Sequence, residues 1–318
     1  MPLMIVWKPL VAALAIAALA LPAHGQSDDG GWRIVPANGL SAMVDCHEEN
    51  GRTLISAHRG GPSPGLPENA IETMDAVLTA IPAIMEVDVA RSPDGVHYLM
   101  HDRTLDRTTT GTGAVTDVAW SEVEQLRLVD EAGWVTPYRV PTLRAALEWA
   151  KGRTVLQIDF KRTADYAEVI GLVRETASEG NVILIAYSLD AANRMLELWP
   201  EAPLSLSLSD LGELDAARAA GIPDANIIAF TGTRIPRPDL YSQLDGEDIE
   251  VIFGTLGRSP NSIDNVIDRF GTDERYAELS QGGVDILATD RPREAAAALA
   301  EAGRLPQAGS CGVIRGEG

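Results

Sequence analysis

The stretch that decides the reading begins His58-Arg59-Gly60, continues through Pro67-Glu68-Asn69, and reaches Ile84-Met85-Glu86-Val87-Asp88-Val89. It then runs Arg91-Ser92-Pro93-Asp94-Gly95, Val96–Met100 and His101-Asp102, and closes on Arg107-Thr108-Thr109-Thr110-Gly111-Thr112-Gly113. Ile84–Val89 reads as a strand, and alternate strand residues share a face, so Glu86 and Asp88 project together. Two carboxylates on one face repel each other, and a cation is the usual remedy. Val96–Met100 is also of strand length, but the link Arg91–Gly95 is too short for a parallel crossover, which takes about a dozen residues or more. Pro-Asp-Gly is turn chemistry. Val96–Met100 should therefore fold back as a hairpin inside an insertion covering about 91–140.

Outward from this stretch, strands alternate with helices. Arg52–Ala57 is expected as the first strand and Asn69–Ala80 as a helix; after the insertion come helix Leu143–Lys151 and third strand Thr154–Phe160. Val182–Tyr187, Leu204–Leu208, Ile227–Phe230, Val251–Gly254 and Ile286–Ala288 continue the series. Helical segments near Asp165–Ser178, Ala191–Trp199, Leu211–Ala220, Pro238–Leu244 and Ile263–Ser280 separate them, and Ala-rich Arg291–Ala302 closes it. Without the hairpin, eight strands remain. The expected fold is α/β: a TIM (β/α)8 barrel over residues 52–305 with a small insertion after the second strand. An open doubly wound sheet is the alternative, but no Gly-x-Gly-x-x-Gly opens the first strand–helix turn.

Lys8 precedes the apolar run Pro9–Ala23, and Ala23-His24-Gly25 supplies small residues before Gln26. This is the pattern of a signal peptide over residues 1–25; about fifteen apolar residues is short for a membrane span of roughly twenty. The chain is expected to be secreted, in the periplasm. Residues 26–51 read as a polar, Gly-rich N-terminal arm and 306–318 as a tail. In an oxidising compartment, Cys46 and Cys311, the only two cysteines, read as one disulfide tying the ends together. With 46 acidic against 26 basic residues, a formal charge of −20 argues against nucleic acid or anionic membrane held by bulk charge. No protein partner is inferred.

In such a barrel the active site lies where strand C-termini meet. His58 and Arg59 end the first strand, Glu86 and Asp88 the second, and Asp159 and Lys161 the third, while His101 arrives on the hairpin. The acidic set offers only oxygen donors, which suits one divalent cation, Mg2+ or Ca2+, better than zinc. A hard cation beside Arg59 and Lys161 can hold a phosphate, and histidines exchange protons near neutral pH. Singly, each feature has a structural reading: a lone histidine at a strand end is often a hydrogen-bonder, and Asp159 with Lys161 could be a plain ion pair. Asp94, Asp102 and Asp106 read as turn or capping residues.

The combined motifs resemble the glycerophosphodiester phosphodiesterases. They are His58-Arg59-Gly60, Pro67-Glu68-Asn69, Glu86-x-Asp88, His101-Asp102, Leu105-Asp106-Arg107-Thr108-Thr109, Gln157-Ile158-Asp159-Phe160-Lys161 and Gly283-Val284-Asp285-Ile286-Leu287-Ala288-Thr289-Asp290. The likeness covers Arg52 to about Ala302 and implies a TIM barrel with an insertion after the second strand. It implies His58 and His101 as the acid/base pair, Arg59 and Lys161 at the phosphate, and Glu86, Asp88 and Asp159 as metal ligands. Three positions depart: Asp159 stands where Glu is common, Phe253-Gly254-Thr255-Leu256 replaces Trp-Thr-Val-Asn, and Ala70 replaces Thr. Glu68 reads as lying behind the site. The expected reaction is metal-dependent hydrolysis of a small-molecule glycerophosphodiester to glycerol 3-phosphate and an alcohol. One alternative is a phospholipase D-like enzyme on lysophospholipid or sphingomyelin, which Asp159 resembles but which four Phe do little to support. Another is a non-catalytic periplasmic glycerophosphodiester-binding protein, which would need neither histidine.

Overall fold

Apolar strands with no polar face must be covered on both sides, and here eight of them do so by closing on themselves. The computed structural model describes residues 30–316; the expected leader, residues 1–25, lies outside them. The barrel strands are Leu54–Ala57, Ile84–Arg91, Leu156–Phe160, Val182–Ala186, Leu204–Ser207, Ile227–Phe230, Val251–Gly254 and Ile286–Thr289. They pair in parallel in chain order, and the first pairs with both the second and the eighth. This is a TIM barrel. Four of its helices start at a side-chain cap: Thr142, Asp165, Ser188 and Asp210 each accept a backbone N–H three residues on.

The insertion begins as expected. His97–Leu99 runs antiparallel to the end of the second strand, with Val89 opposite Leu99 and Arg91 opposite His97. Beyond it lie elements the sequence reading did not resolve: a short helix, Trp120–Val123, and a second hairpin, Arg127–Val129 with Val135–Arg139. Tyr98, Met100, Leu105, Val115, Val123 and Leu128 give the insertion its own core.

Three expectations need correction. Residues 30–50, read as a polar, Gly-rich arm, hold regular structure: Trp32–Ile34 pairs antiparallel with Val313–Arg315 from the expected tail, and Leu40–Glu49 is a helix. Ile34, Leu40, Met43 and Val44 pack with Leu54, Ile84, Ile183, Ile252 and Ile286, which lie at or near the starts of their strands. The arm therefore plugs the barrel base, and its apolar residues are spaced as a buried helix face requires. Ile263–Ser280 is two helices, Ile263–Phe270 and Glu274–Gln281, because Gly271 turns left-handed (φ 62°) and ends the first. His58 and Arg59 lie just past the first strand, in a single 3-10 turn with Gly60. Cys46, inside the arm helix, is bonded to Cys311 across 265 positions, so the expected disulfide is present.

Candidate active site

Strand alternation builds the acidic centre. On the second strand Met85, Val87 and Val89 pack outward against the helices, which leaves Ile84, Glu86 and Asp88 facing inward. Parallel register sets Asp88 beside Asp159 and Glu86 beside Gln157. Glu86, Asp88 and Asp159 are buried, and each offers an oxygen within 4.8 Å of the others, a grouping able to hold a metal ion. Burial, then the neighbouring Asp88 charge, pushes the Glu86 carboxyl up to about 8. Asp88 moves the other way: burial opposes its charge, but Lys161 and other nearby cations hold its pKa below the usual range. Lys161 Nζ sits 2.6 Å from both Asp88 Oδ1 and Asp159 Oδ2. Asn69 fixes Asp88 from both sides, donating to Oδ2 at 2.7 Å and accepting its backbone N–H at 2.9 Å.

Both histidines are held through Nδ1 by a carboxylate. His58 Nδ1 lies 2.6 Å from Asp290 Oδ1, and its Nε2 lies 3.9 Å from Glu86. Asp290 is itself set by the Gly257 N–H on its other oxygen and by its own N–H donating to buried Asp264. His101 Nδ1 lies 2.7 Å from Asp102 Oδ1. Arg107 takes both oxygens of that carboxylate and reaches Glu68 as well. Burial disfavours the His58 imidazolium, yet the Asp290 hydrogen bond and the Glu86 charge outweigh it and raise its pKa. Burial instead wins at His101 and lowers its pKa, despite Asp88 and Asp102.

Arg59 adopts a left-handed backbone (φ 52°), and its N–H donates to Glu86 Oε2 at 2.7 Å. Its Nη1 binds both oxygens of Glu68, while its buried Nε donates to no group among the described residues. Glu68, 3% exposed, thus anchors Arg59, Arg107 and Arg258 rather than a helix start. Above the triad lies a cavity of about 260 Å³, lined in part by His58, Arg59, His101, Asp159, Lys161 and Arg258.

All seven singled-out residues thus converge on one barrel mouth. Asp94 and Asp106 serve turns, accepting the Trp120 and Gly113 N–H groups. Asp102 does not; it positions His101. Sequence reasoning also missed Asn69 and Asp290, which stood inside quoted motifs without a role, and Tyr187, whose hydroxyl donates to Asp159 Oδ2 at 3.0 Å. Tyr187 follows the fourth strand directly, so the strand-end rule could have found it.

Residues 58–200 match the family model described as the glycerophosphoryl diester phosphodiesterase family. A similar solved structure, a glycerophosphoryl diester phosphodiesterase of Parabacteroides distasonis, is 29% identical with a TM-score of 0.76; the match covers 90% of this chain and 100% of that one. A glycerophosphodiester phosphodiesterase of Agrobacterium tumefaciens is 28% identical with a TM-score of 0.61, covering 77% and 99%. Glycerophosphodiester phosphodiesterase 1 of Mus musculus is 36% identical over 123 residues, 36% of each chain.

Proposed function

Since this chain belongs to the glycerophosphoryl diester phosphodiesterase family, we propose that it hydrolyses glycerophosphodiesters to glycerol 3-phosphate and an alcohol. The observation that carries this is the convergence at one barrel mouth of three carboxylates, two carboxylate-oriented histidines, Arg59 and Lys161.

Three crowded carboxylates outnumber the two cations beside them, Lys161 and Arg59, whose Nε lies 3.7 Å from Asp88 Oδ2, and burial together with that excess of negative charge raises the Glu86 pKa. A divalent cation relieves that excess, and all-oxygen donors suit Mg2+ or Ca2+. Glu86, Asp88 and Asp159 would hold it, and when bound it would neutralise phosphate charge and polarise the phosphoryl group. Arg59 and Lys161, which line the cavity, would take phosphate oxygens and steady charge that builds in the transition state. The histidines divide the proton work. Asp102 shares its charge with Arg107, whereas among the described residues the Asp290 carboxylate is hydrogen-bonded, besides His58, by the Gly257 N–H alone. His58 is therefore the better-supported imidazolium and delivers a proton to the departing alkoxide. His101, neutral, takes the proton of the attacking oxygen.

The cavity lining includes only Pro62 and Leu256 as aliphatic groups, which gives an acyl chain of a lysophospholipid little to pack on. Export remains part of the proposal, supported by the leader pattern over residues 1–25 and by the Cys46–Cys311 disulfide.

The test is release of glycerol 3-phosphate by protein lacking residues 1–25, across Mg2+, Ca2+ and a chelator. Activity should vanish with chelator and return with metal. Glu86→Ala and Asp88→Ala should lack it, and Asp159→Glu should keep some at raised metal concentration. Full activity of Asp159→Ala, or none from the parent protein with any cation, would overturn the scheme.

A further inference from the structure

The acidic centre ties one oxygen of a carboxylate and leaves the other open. At Glu86, Oε2 takes the Arg59 N–H, and Oε1 has no hydrogen bond or ion pair among the described residues. At Asp159, Lys161 Nζ at 2.6 Å and the Tyr187 hydroxyl at 3.0 Å both meet Oδ2, and Oδ1 has none among the described residues. Lys161 does not fix that carboxylate by itself, because its Nζ, on a long flexible stem, is equally close to Asp88 Oδ1. The terminal torsion of an aspartate is broad. A second contact is needed to decide which oxygen of Asp159 is tied.

Tyr187 supplies that contact from the neighbouring strand. It follows the fourth barrel strand, Val182–Ala186, which pairs in parallel with the third, Leu156–Phe160, the strand that carries Asp159. The residue is 62% exposed, so core packing does little to explain its place, yet its hydroxyl turns in to a carboxylate only 6% exposed. Two torsions set a tyrosine side chain, so the ring holds its donor at a fixed reach. A phenol is also neutral at ordinary pH. It ties one oxygen without cancelling the negative charge that a cation needs, whereas Lys161 opposes that charge.

We propose that Tyr187 is a positioning residue for the metal centre: its hydroxyl ties Oδ2 of Asp159 and so presents Oδ1 to the divalent cation. This rests on the metal-dependent hydrolase reading and deepens it. Hydrogen-bond partners of ligating carboxylates orient them, and losing such a partner typically costs about 10–100-fold in metal affinity. Tyr187 acts through Asp159 and takes no part in proton transfer.

The experiment titrates Mg2+ and Ca2+ by calorimetry into the full disulfide-bonded protein after a chelator has removed bound metal. Tyr187→Phe keeps the ring and removes the donor; it should bind the ion about tenfold more weakly. Half-maximal turnover of a glycerophosphodiester should then need correspondingly more cation, and the denaturation midpoint of the metal-free protein should not move. In an Asp159→Glu background the carboxylate reaches about 1.5 Å further. There Tyr187→Phe should add little further loss, because the hydroxyl no longer meets the oxygen it is set for. Unchanged affinity in Tyr187→Phe overturns the proposal, as does the same loss in both backgrounds. A loss matched by a lowered midpoint would make Tyr187 a structural residue and overturn it too. A parent protein that binds the ion but turns over no diester overturns the hydrolase reading and leaves the role of Tyr187 standing. A parent that binds neither ion overturns the metal centre and this proposal together.

Discussion

At the scale of single residues, His58 and His101 differ in what lies behind them rather than in their own chemistry. Each has a carboxylate on Nδ1, but Arg107 occupies both oxygens of Asp102, and among the described residues no side-chain cation does the same for Asp290. The division of labour can be read from the leaving group. Alanine at either position should cost roughly 10²–10⁴-fold in kcat on a natural diester. A nitrophenyl phosphodiester expels a weakly basic oxygen that needs no proton, so His58→Ala should recover most of its rate there and His101→Ala should not. If both variants are equally slow on both substrates, the acid/base division is wrong. The reverse pattern would exchange the two roles.

At the scale of elements, the turn after the first strand is the most constrained piece of the site. Gly60 has φ 79°, and a Cβ there would come within 2.6 Å of Met74 Cγ on helix Ile71–Ala80. Close helix approach is what lets the Arg59 N–H reach Glu86 and the Arg59 carbonyl accept from Asn69. Gly60→Ala should therefore destabilise the fold by roughly 2–4 kcal/mol, combining left-handed strain with overpacking. It should also cut kcat by shifting Arg59. Chemical denaturation followed by circular dichroism checks the first part, and an unchanged midpoint would refute it.

At the scale of the molecule, the two ends of the chain act as one unit. Trp32–Ile34 and Val313–Arg315 pair, Arg315 lies over the Trp32 ring at 4.9 Å, and Cys46–Cys311 staples them beside the barrel base. Closing so long a loop restricts the unfolded chain, an effect on the order of 5 kcal/mol in the chain-entropy model and usually less in practice. The double variant Cys46→Ser with Cys311→Ser should lose about 2–5 kcal/mol of stability and keep its activity, since the barrel mouth is at the far end. Thiol labelling of denatured, unreduced protein should find no free cysteine; two reactive thiols would exclude the bridge.

The sequence by itself determined the barrel and the address of its site. Apolar runs of strand length, a link too short for a crossover and carboxylates at i, i+2 are local facts, and a strand's geometry turns them directly into faces and ends. Glu86 with Asp88, and Asp159 with Lys161, were legible for that reason. The arm helix over Leu40–Glu49 escaped because its polar, Gly-rich surroundings mask an apolar face that has meaning only against the barrel base. What pairs with what was decided by tertiary structure alone. Asp102 could be seen beside His101, but whether it would cap a turn or hold the imidazole depended on Arg107 and Glu68 arriving from elsewhere. Asp290 lies 232 positions from His58, and no local signal aimed one at the other. Side-chain pairing is a contact between distant segments, and only closing the barrel and folding the insertion over it brings those segments within hydrogen-bond reach.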